Sequence, residues 1–293
     1  VTSSIPTANT TGTGRRIATR KGRKLIAFGW YGGKYSHLDF ILPHIPQDTR
    51  HYCDVFGGSA AVLINRNPAP VETYNDIDTE LVNFFRVLRD QGEDLIRAIA
   101  LTPFSRAELT LACTPVPLVG PQALQPLERA RRFYVRARQT RTGLAQTSST
   151  GRWAHCVLTS RAGMAGAVSR WLGAVEGLPE IVQRLQRVQI ENAPALDVIA
   201  RYDTDETVFY LDPPYVHDVR GDSAAYAYEM NDADHVALAD KLATIRGRAV
   251  LSGYRNDLYD RLYQGWTCID APVRTCHSVR KPRQETLWLN FVP

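Results

Sequence analysis

Long apolar runs, paired cysteines and a dinucleotide-type glycine fingerprint are all missing from this 293-residue sequence. No stretch approaches the roughly 20 apolar residues that a membrane-spanning helix needs. The N-terminus is Thr/Ser-rich and then basic, with no apolar signal core. The five cysteines are odd in number and scattered, which excludes a disulfide framework and favours a reducing compartment, the cytoplasm. No G-x-G-x-x-G pattern occurs, which argues against NAD or FAD. With 44% hydrophobic and 22% charged residues, collagen-like, coiled-coil and wholly disordered readings also fall. The length suits one large or two small domains with a self-sufficient core.

Acids are absent from the first 24 residues, which hold Arg15, Arg16, Arg20, Lys21, Arg23 and Lys24. The net charge of +5 therefore belongs largely to this tail, which is expected to be disordered on its own. Residues 101–200 carry twelve Arg against six acids, with a cluster running from Arg129 to Arg141. Such a patch suits a phosphate-lined partner or, more simply, a solvated helix face.

Periodicity begins at Tyr52. The runs YCDVF and VETYN read as strands, with helices through AAVLINR and TELVNFFRVLRD, and this alternation predicts a parallel α/β sheet. Between 101 and 187 only helices are expected, starting at the Ser105–Glu108 capping box and continuing through LERARRFYVRARQ, MAGAVSRWLGAV and PEIVQRLQRV. A polar loop, 140–151, interrupts them. The scaffold resumes with VQIEN, PALDVIARY, TVFYL, DADHVALADKLATI, RAVLSG, a short helix from Asn256, and TLWLNF. The expected organisation is a tail (1–24), an α/β domain (25–100 and 188–293) and a helical insertion (101–187).

Three segments carry chemistry. Asp212-Pro213-Pro214-Tyr215 follows TVFYL directly. Consecutive prolines cannot continue a central strand, so this turn belongs at the carboxyl edge of the sheet, where open α/β folds bind ligands. A carboxylate, the Pro213 carbonyl and the Tyr215 ring there form a receptor for an exocyclic amino group on a planar base. In CDVFGGSAA a glycine turn joins a strand to a helix, and Asp76 lies 18 residues beyond Gly58, near the offset at which α/β folds hold ribose hydroxyls. In GWYGGKY, only three residues separate Gly29 from Gly33-Lys34, and Tyr35 stands where a P-loop needs Ser or Thr. That segment is not a P-loop.

Together and in this order, WYGGK (30–34), DVFGGSA (54–60), NDID (75–78), the insertion and DPPY (212–215) resemble the DNA adenine N6-methyltransferases of the Dam-like class. The resemblance spans the chain from about residue 25 onward. VLSGY (250–254) and RKPRQETLW (280–288) are similar to prophage-type members. Ala60 and Val55 depart from it, standing where many members have glycine and proline.

The resemblance implies a Rossmann-like, mainly parallel methyltransferase fold with a helical target-recognition insertion. It also implies S-adenosylmethionine as methyl donor, duplex DNA as partner, and a bacterial or phage-encoded origin. By position, Trp30 and Lys34 would line the cofactor pocket, Asp54 would face the methionine amino group, Phe56 and Gly58 would shape the loop, and Asp76 would bind the ribose. Asp212 would touch cofactor and substrate, with Pro213 and Pro214 shaping the turn and Tyr215 stacking on a flipped-out adenine. Arg129, Arg132, Arg136 and Arg138 would contact phosphates or bases. No metal site is expected, since His155-Cys156 and Cys276-His277 lack ligand spacing. Cytosine C5 chemistry needs a Pro-Cys nucleophile, and no cysteine here follows proline. Structured RNA as substrate, or a non-catalytic regulator on the same fold, are the alternatives.

Overall fold

The computed structural model describes residues 24–30, 32–141, 152–216, 228–272 and 284–293. The tail up to Arg23, most of the loops at 140–151 and 216–230, Cys276 and the start of the 280–288 segment lie outside the described residues. Seven strands form one sheet: β1 (His51–Asp54), β2 (Val71–Asn75), β3 (Gln189–Glu191), β4 (Thr207–Leu211), β5 (Arg248–Tyr254), β6 (Thr267–Asp270) and β7 (Glu285–Leu289). Their order is β3-β2-β1-β4-β5-β7-β6. The first five are parallel, whereas β7 runs antiparallel to both β5 and β6. The chain walks outward from β1 to β3 and returns to β4 beside β1. The carboxyl ends of β1 and β4 therefore flank the crevice where strand order reverses.

β1, β2 and β4 are buried almost throughout, as strands covered on both faces must be. β6 escaped the sequence reading because it is a four-residue edge strand of alternating half-exposed and exposed positions.

A helical turn (Lys34–His37) and a short helix (Leu38–Ile41) precede β1, and the helices after it are α1 (Ala61–Asn65), α2 (Thr79–Asp90), α3 (Gly92–Ala100), α4 (Arg106–Cys113), α5 (Pro126–Gln139), α6 (Gly166–Val175), α7 (Leu178–Leu185), α8 (Ala195–Tyr202), α9 (Asp232–Leu242) and α10 (Asp257–Leu262). One face of the sheet packs α8, α9 and α10 around Phe209, Leu251 and Trp288. On the other face, Phe84 and Phe85 of α2 meet Phe28, Phe133 and Tyr134, with Phe84 and Tyr134 stacked at 5.7 Å. Trp171 and Ile181 from the insertion belong to this same cluster, so residues 101–187 have no separate core.

One expectation about the insertion needs correction. The insertion contains a two-stranded ribbon, Ser160–Arg161 with Met164–Ala165, and an isolated bridge from Thr140 to Trp153. Two-residue exposed strands leave no apolar alternation to read. The α5 arginines, expected to contact phosphates or bases, are half-exposed and already hold partners within the protein. Arg129 pairs with Glu80, and Arg132 with Glu128 at 2.8 Å. Arg132 and Arg136 also donate to the carbonyls of Leu111 and Ala112 at the C-terminal end of α4, and Arg138 donates to the Ala27 carbonyl at 2.9 Å. The cause is packing: α5 lies between α2 and α4, and its guanidinium groups satisfy the carboxylates and helix-end carbonyls of those neighbours.

Candidate active site

The ends of β1, β2 and β4 each present a carboxylate, and all three line one cavity of about 400 Å³. Asp54 closes β1, Asp76 follows β2, and Asp212 follows β4. Trp30, Lys34, Phe56 and Gly58 line the same cavity. Every residue expected to hold the cofactor is therefore brought to one place.

The loop after β1 is shaped by close approach. A Cβ on Gly57 would lie 2.1 Å from the Tyr74 ring, and one on Gly58 would lie 3.1 Å from the Trp30 indole. Gly58 also has φ +49°, a left-handed conformation that glycine adopts freely. Its N–H donates to Asp76 Oδ2 at 2.9 Å, and Asp76 Oδ1 accepts from the Asp78 N–H at 2.9 Å. The 18-residue offset thus has a physical meaning, since Asp76 ties the glycine loop to the tip of β2.

Ala60, where relatives in the resembled class carry glycine, sits at φ 56° and ψ 21°. An L-residue there costs about 1–2 kcal/mol, partly offset by the greater unfolded-state freedom of glycine. Ala60→Gly is expected to raise Tm by about 1–2 °C in a calorimetric scan. No gain would mean that the loop does not hold this conformation.

Three carboxylates around one cavity, Asp54 buried and Asp76 and Asp212 half-buried, disturb one another. Burial holds the Asp54 carboxyl well above the ordinary range, and the charges of Asp212 and Asp76 add to the effect. Its Oδ1 is buried without a hydrogen-bond partner among the described residues. Burial also raises Asp76 to about 6, against its backbone hydrogen bonds. Asp212 is likewise raised by burial to about 6, although Lys34 Nζ stands 2.7 Å from its Oδ1 and pulls it down. The cavity is accordingly under-neutralised and suits a cationic ligand.

Pro214 lines the cavity, but Pro213 and Tyr215 are buried behind it. Tyr215 was expected to offer an open stacking face. Its ring instead packs edge-on to Tyr254 at 4.5 Å and under Lys34 Nζ at 4.8 Å, and its hydroxyl donates to Glu285 Oε1 at 2.6 Å. The turn keeps the tyrosine inward because its hydroxyl has a buried acceptor there.

Sequence reading missed Asn75. Its buried amide donates to the carbonyls of Val55 and Ala193 and accepts from the Ala193 N–H, clamping three crevice segments together. The only signal was a polar residue at the end of a strand, directly before Asp76. Ile77, 41% exposed at the cavity mouth beside Asp76, was also overlooked.

A five-stranded parallel half with an antiparallel β7, and acids at the tips of β1, β2 and β4, defines a Rossmann-like methyltransferase. The chain belongs to the D12 class N6 adenine-specific DNA methyltransferase family, whose model matches residues 30–275. It is 25% identical over 247 residues to a DNA adenine methylase of Vibrio cholerae, covering 80% of this chain and 83% of that one. A 76-residue stretch, 26% of this chain, is 33% identical to modification methylase StsI of Streptococcus sanguinis and spans 12% of that protein. Among solved structures, an rRNA methyltransferase from Streptomyces viridochromogenes aligns over 87% of this chain and 82% of its own, at 15% identity and a TM-score of 0.34. That likeness is too low to carry an argument.

Proposed function

We propose that this protein methylates N6 of an adenine flipped out of duplex DNA, with S-adenosylmethionine as donor. The observation that carries the reading is the convergence of Asp54, Asp76 and Asp212 on one cavity beside the D-P-P-Y turn. When bound, S-adenosylmethionine supplies an electrophilic methyl group on a sulfonium centre.

The residues fit such a ligand. The orphaned Asp54 oxygen suits an ammonium group, Asp76 retains lone pairs for ribose hydroxyls, and Trp30 and Phe56 give apolar walls. Asp212 and the Pro213 carbonyl would accept the two N–H bonds of the adenine amino group. That favours a pyramidal nitrogen with its lone pair aimed at the methyl carbon, by alignment and preorganised electrostatics. As the new N–C bond formed, the methyl–sulfur bond would break with its electron pair left on sulfur as a neutral thioether, and N6 would shed one proton. Asp212, with a pKa of about 6, is ionised at neutral pH and holds the hydrogen bond through which that proton leaves. A DNA substrate places the work in the cytoplasm.

The test is modified-base sequencing of DNA from cells expressing the protein, beside an Asp212→Ala control. Methylated adenine in one short motif, lost in the control by about 100-fold or more, is the expected result. Unmodified DNA from cells holding folded, cofactor-binding protein would overturn the DNA reading and point to RNA.

A further inference from the structure

Behind the candidate turn lies a second buried carboxylate that the mechanism above does not use. Glu285 opens β7 opposite Tyr254 of β5 and is 3% exposed. Its Oε1 accepts from the Tyr215 hydroxyl and from Ser252 Oγ, both at 2.6 Å, and lies 3.7 Å from Lys34 Nζ. Lys34 in turn stands 2.7 Å from Asp212. Four segments distant in sequence thus meet at one oxygen: the helical turn at Lys34, the D-P-P-Y turn, β5 and β7.

We propose that Glu285 is a positioning residue for methyl transfer, acting through the Tyr215 hydroxyl and the shared Lys34 to hold the Asp212–Tyr215 turn in its reactive orientation. The inference rests on the reading that this turn performs the transfer. Two hydroxyls alone could be satisfied by a neutral amide, without burying a charge beside another carboxylate. What the charge adds is a second claim on Lys34 and a like-charge push on Asp212. Burial keeps the Asp212 carboxyl high first, Lys34 draws it down, and Glu285 raises it again. Besides Ser252, the titratable groups facing Glu285 among the described residues are Lys34, Asp212, Tyr210, Tyr215 and Tyr254.

Glu285→Gln keeps the shape and an acceptor but removes the charge, and Tyr215→Phe removes the hydroxyl alone. Glu285→Gln is expected to lower kcat by about tenfold or more, with a smaller loss in cofactor Kd, since the turn is displaced while Asp54 and Asp76 are untouched. The double variant should lose no more than the worse single one, because both act through one contact. The Asp212 titration, followed by carbon-13 carboxyl NMR of the full chain, should move to lower pH in Glu285→Gln. Losses that multiply in the double variant, or an Asp212 midpoint that stays put, would overturn the proposal. The NMR titration does not need turnover. A wild-type protein inactive on every adenine substrate would defeat the methyl-transfer reading separately, and the Asp212 midpoint would then decide whether Glu285 acts on the turn. Should Glu285→Gln fold poorly, Ser252→Ala offers the same titration with Glu285 deprived of one donor. Its Asp212 midpoint should then rise, and a fixed one would count against the network.

Discussion

Without cofactor, the protein is expected to melt about 5 °C higher at pH 5 than at pH 7.5, the reverse of ordinary acid weakening. Asp76 and Asp212 both titrate near 6 in the folded chain, against 3.8 for an unperturbed aspartate. Between those values the folded protein keeps protons that the unfolded chain has lost. Stability is therefore full below the unfolded pKa and falls as pH rises through the folded one. Each full shift corresponds to about 3 kcal/mol, of which roughly half has been regained at pH 5. Asp54, raised for the same reason of burial, works in the same direction.

One group opposes this trend. Burial lowers His51, so its contribution is lost as pH falls through the ordinary histidine range. Carboxylates held low by arginine, such as Glu128, lose their contribution only below their ordinary pKa of 4.5, outside most of the window. Among the described residues four raised acids, Asp54, Asp76, Asp78 and Asp212, against one lowered histidine set the sign. The check is a pair of thermal scans at the two pH values, repeated on Asp54→Asn. That variant should be more stable than the wild type at pH 7.5 and show a shallower pH dependence. It should also bind S-adenosylmethionine at least tenfold more weakly. Saturating cofactor should stabilise the wild type most at pH 7.5, where the carboxylates are charged. A wild type that simply weakens toward pH 5 would show that these acids are neutralised in some other way.

The sheet was legible in the sequence where burial on both faces leaves a largely apolar run, as in TVFYL. It was illegible where exposure breaks the pattern, as in β6. The cavity walls were legible because each lies next to a turn that glycine or proline imposes, and such turns are written locally. Long-range partnerships were not. Nothing in LERARRFYVRARQ distinguishes arginines bound for DNA from arginines that satisfy Glu80, Glu128 and the end of α4. The inward turn of Tyr215 depended on Glu285, 70 residues further on, which has no local signature. Asn75 is similar, since its amide acts on Val55 and Ala193 rather than on its neighbours.

Glu72→Ala is expected to destabilise the fold by about 3–5 kcal/mol, without any contact with the candidate site. Glu72 lies near the start of β2, at the opposite end of the strand from Asp76, and its side chain is fully buried. Its Oε1 accepts from Arg66 at 3.0 Å, from Arg184 at 2.7 Å and from the Ala69 N–H at 3.1 Å. Its Oε2 accepts from Arg184 at 2.5 Å. Arg66 also stacks on the Tyr52 ring at 4.2 Å, and Arg184 comes from α7. One carboxylate thus joins β2, the segment after α1 and the helical layer. Removing it leaves two buried guanidinium groups with no counter-charge, which is the expensive way to break a buried pair. A loss of that size is a large share of the 5–15 kcal/mol typical of a folded domain. Urea melts should show the midpoint falling at unchanged m-value, and Glu72→Gln, which keeps the acceptors, should lie between. A loss below about 1 kcal/mol would mean that water replaces the carboxylate. The contrast with Asp54 is physical. On neighbouring strands, two nearly fully buried carboxylates meet opposite environments. The one at the amino edge has three arginines, Arg66, Arg184 and the more exposed Arg187, and holds the helices on, while the one at the carboxyl edge is left short of charge, in readiness for a cationic ligand.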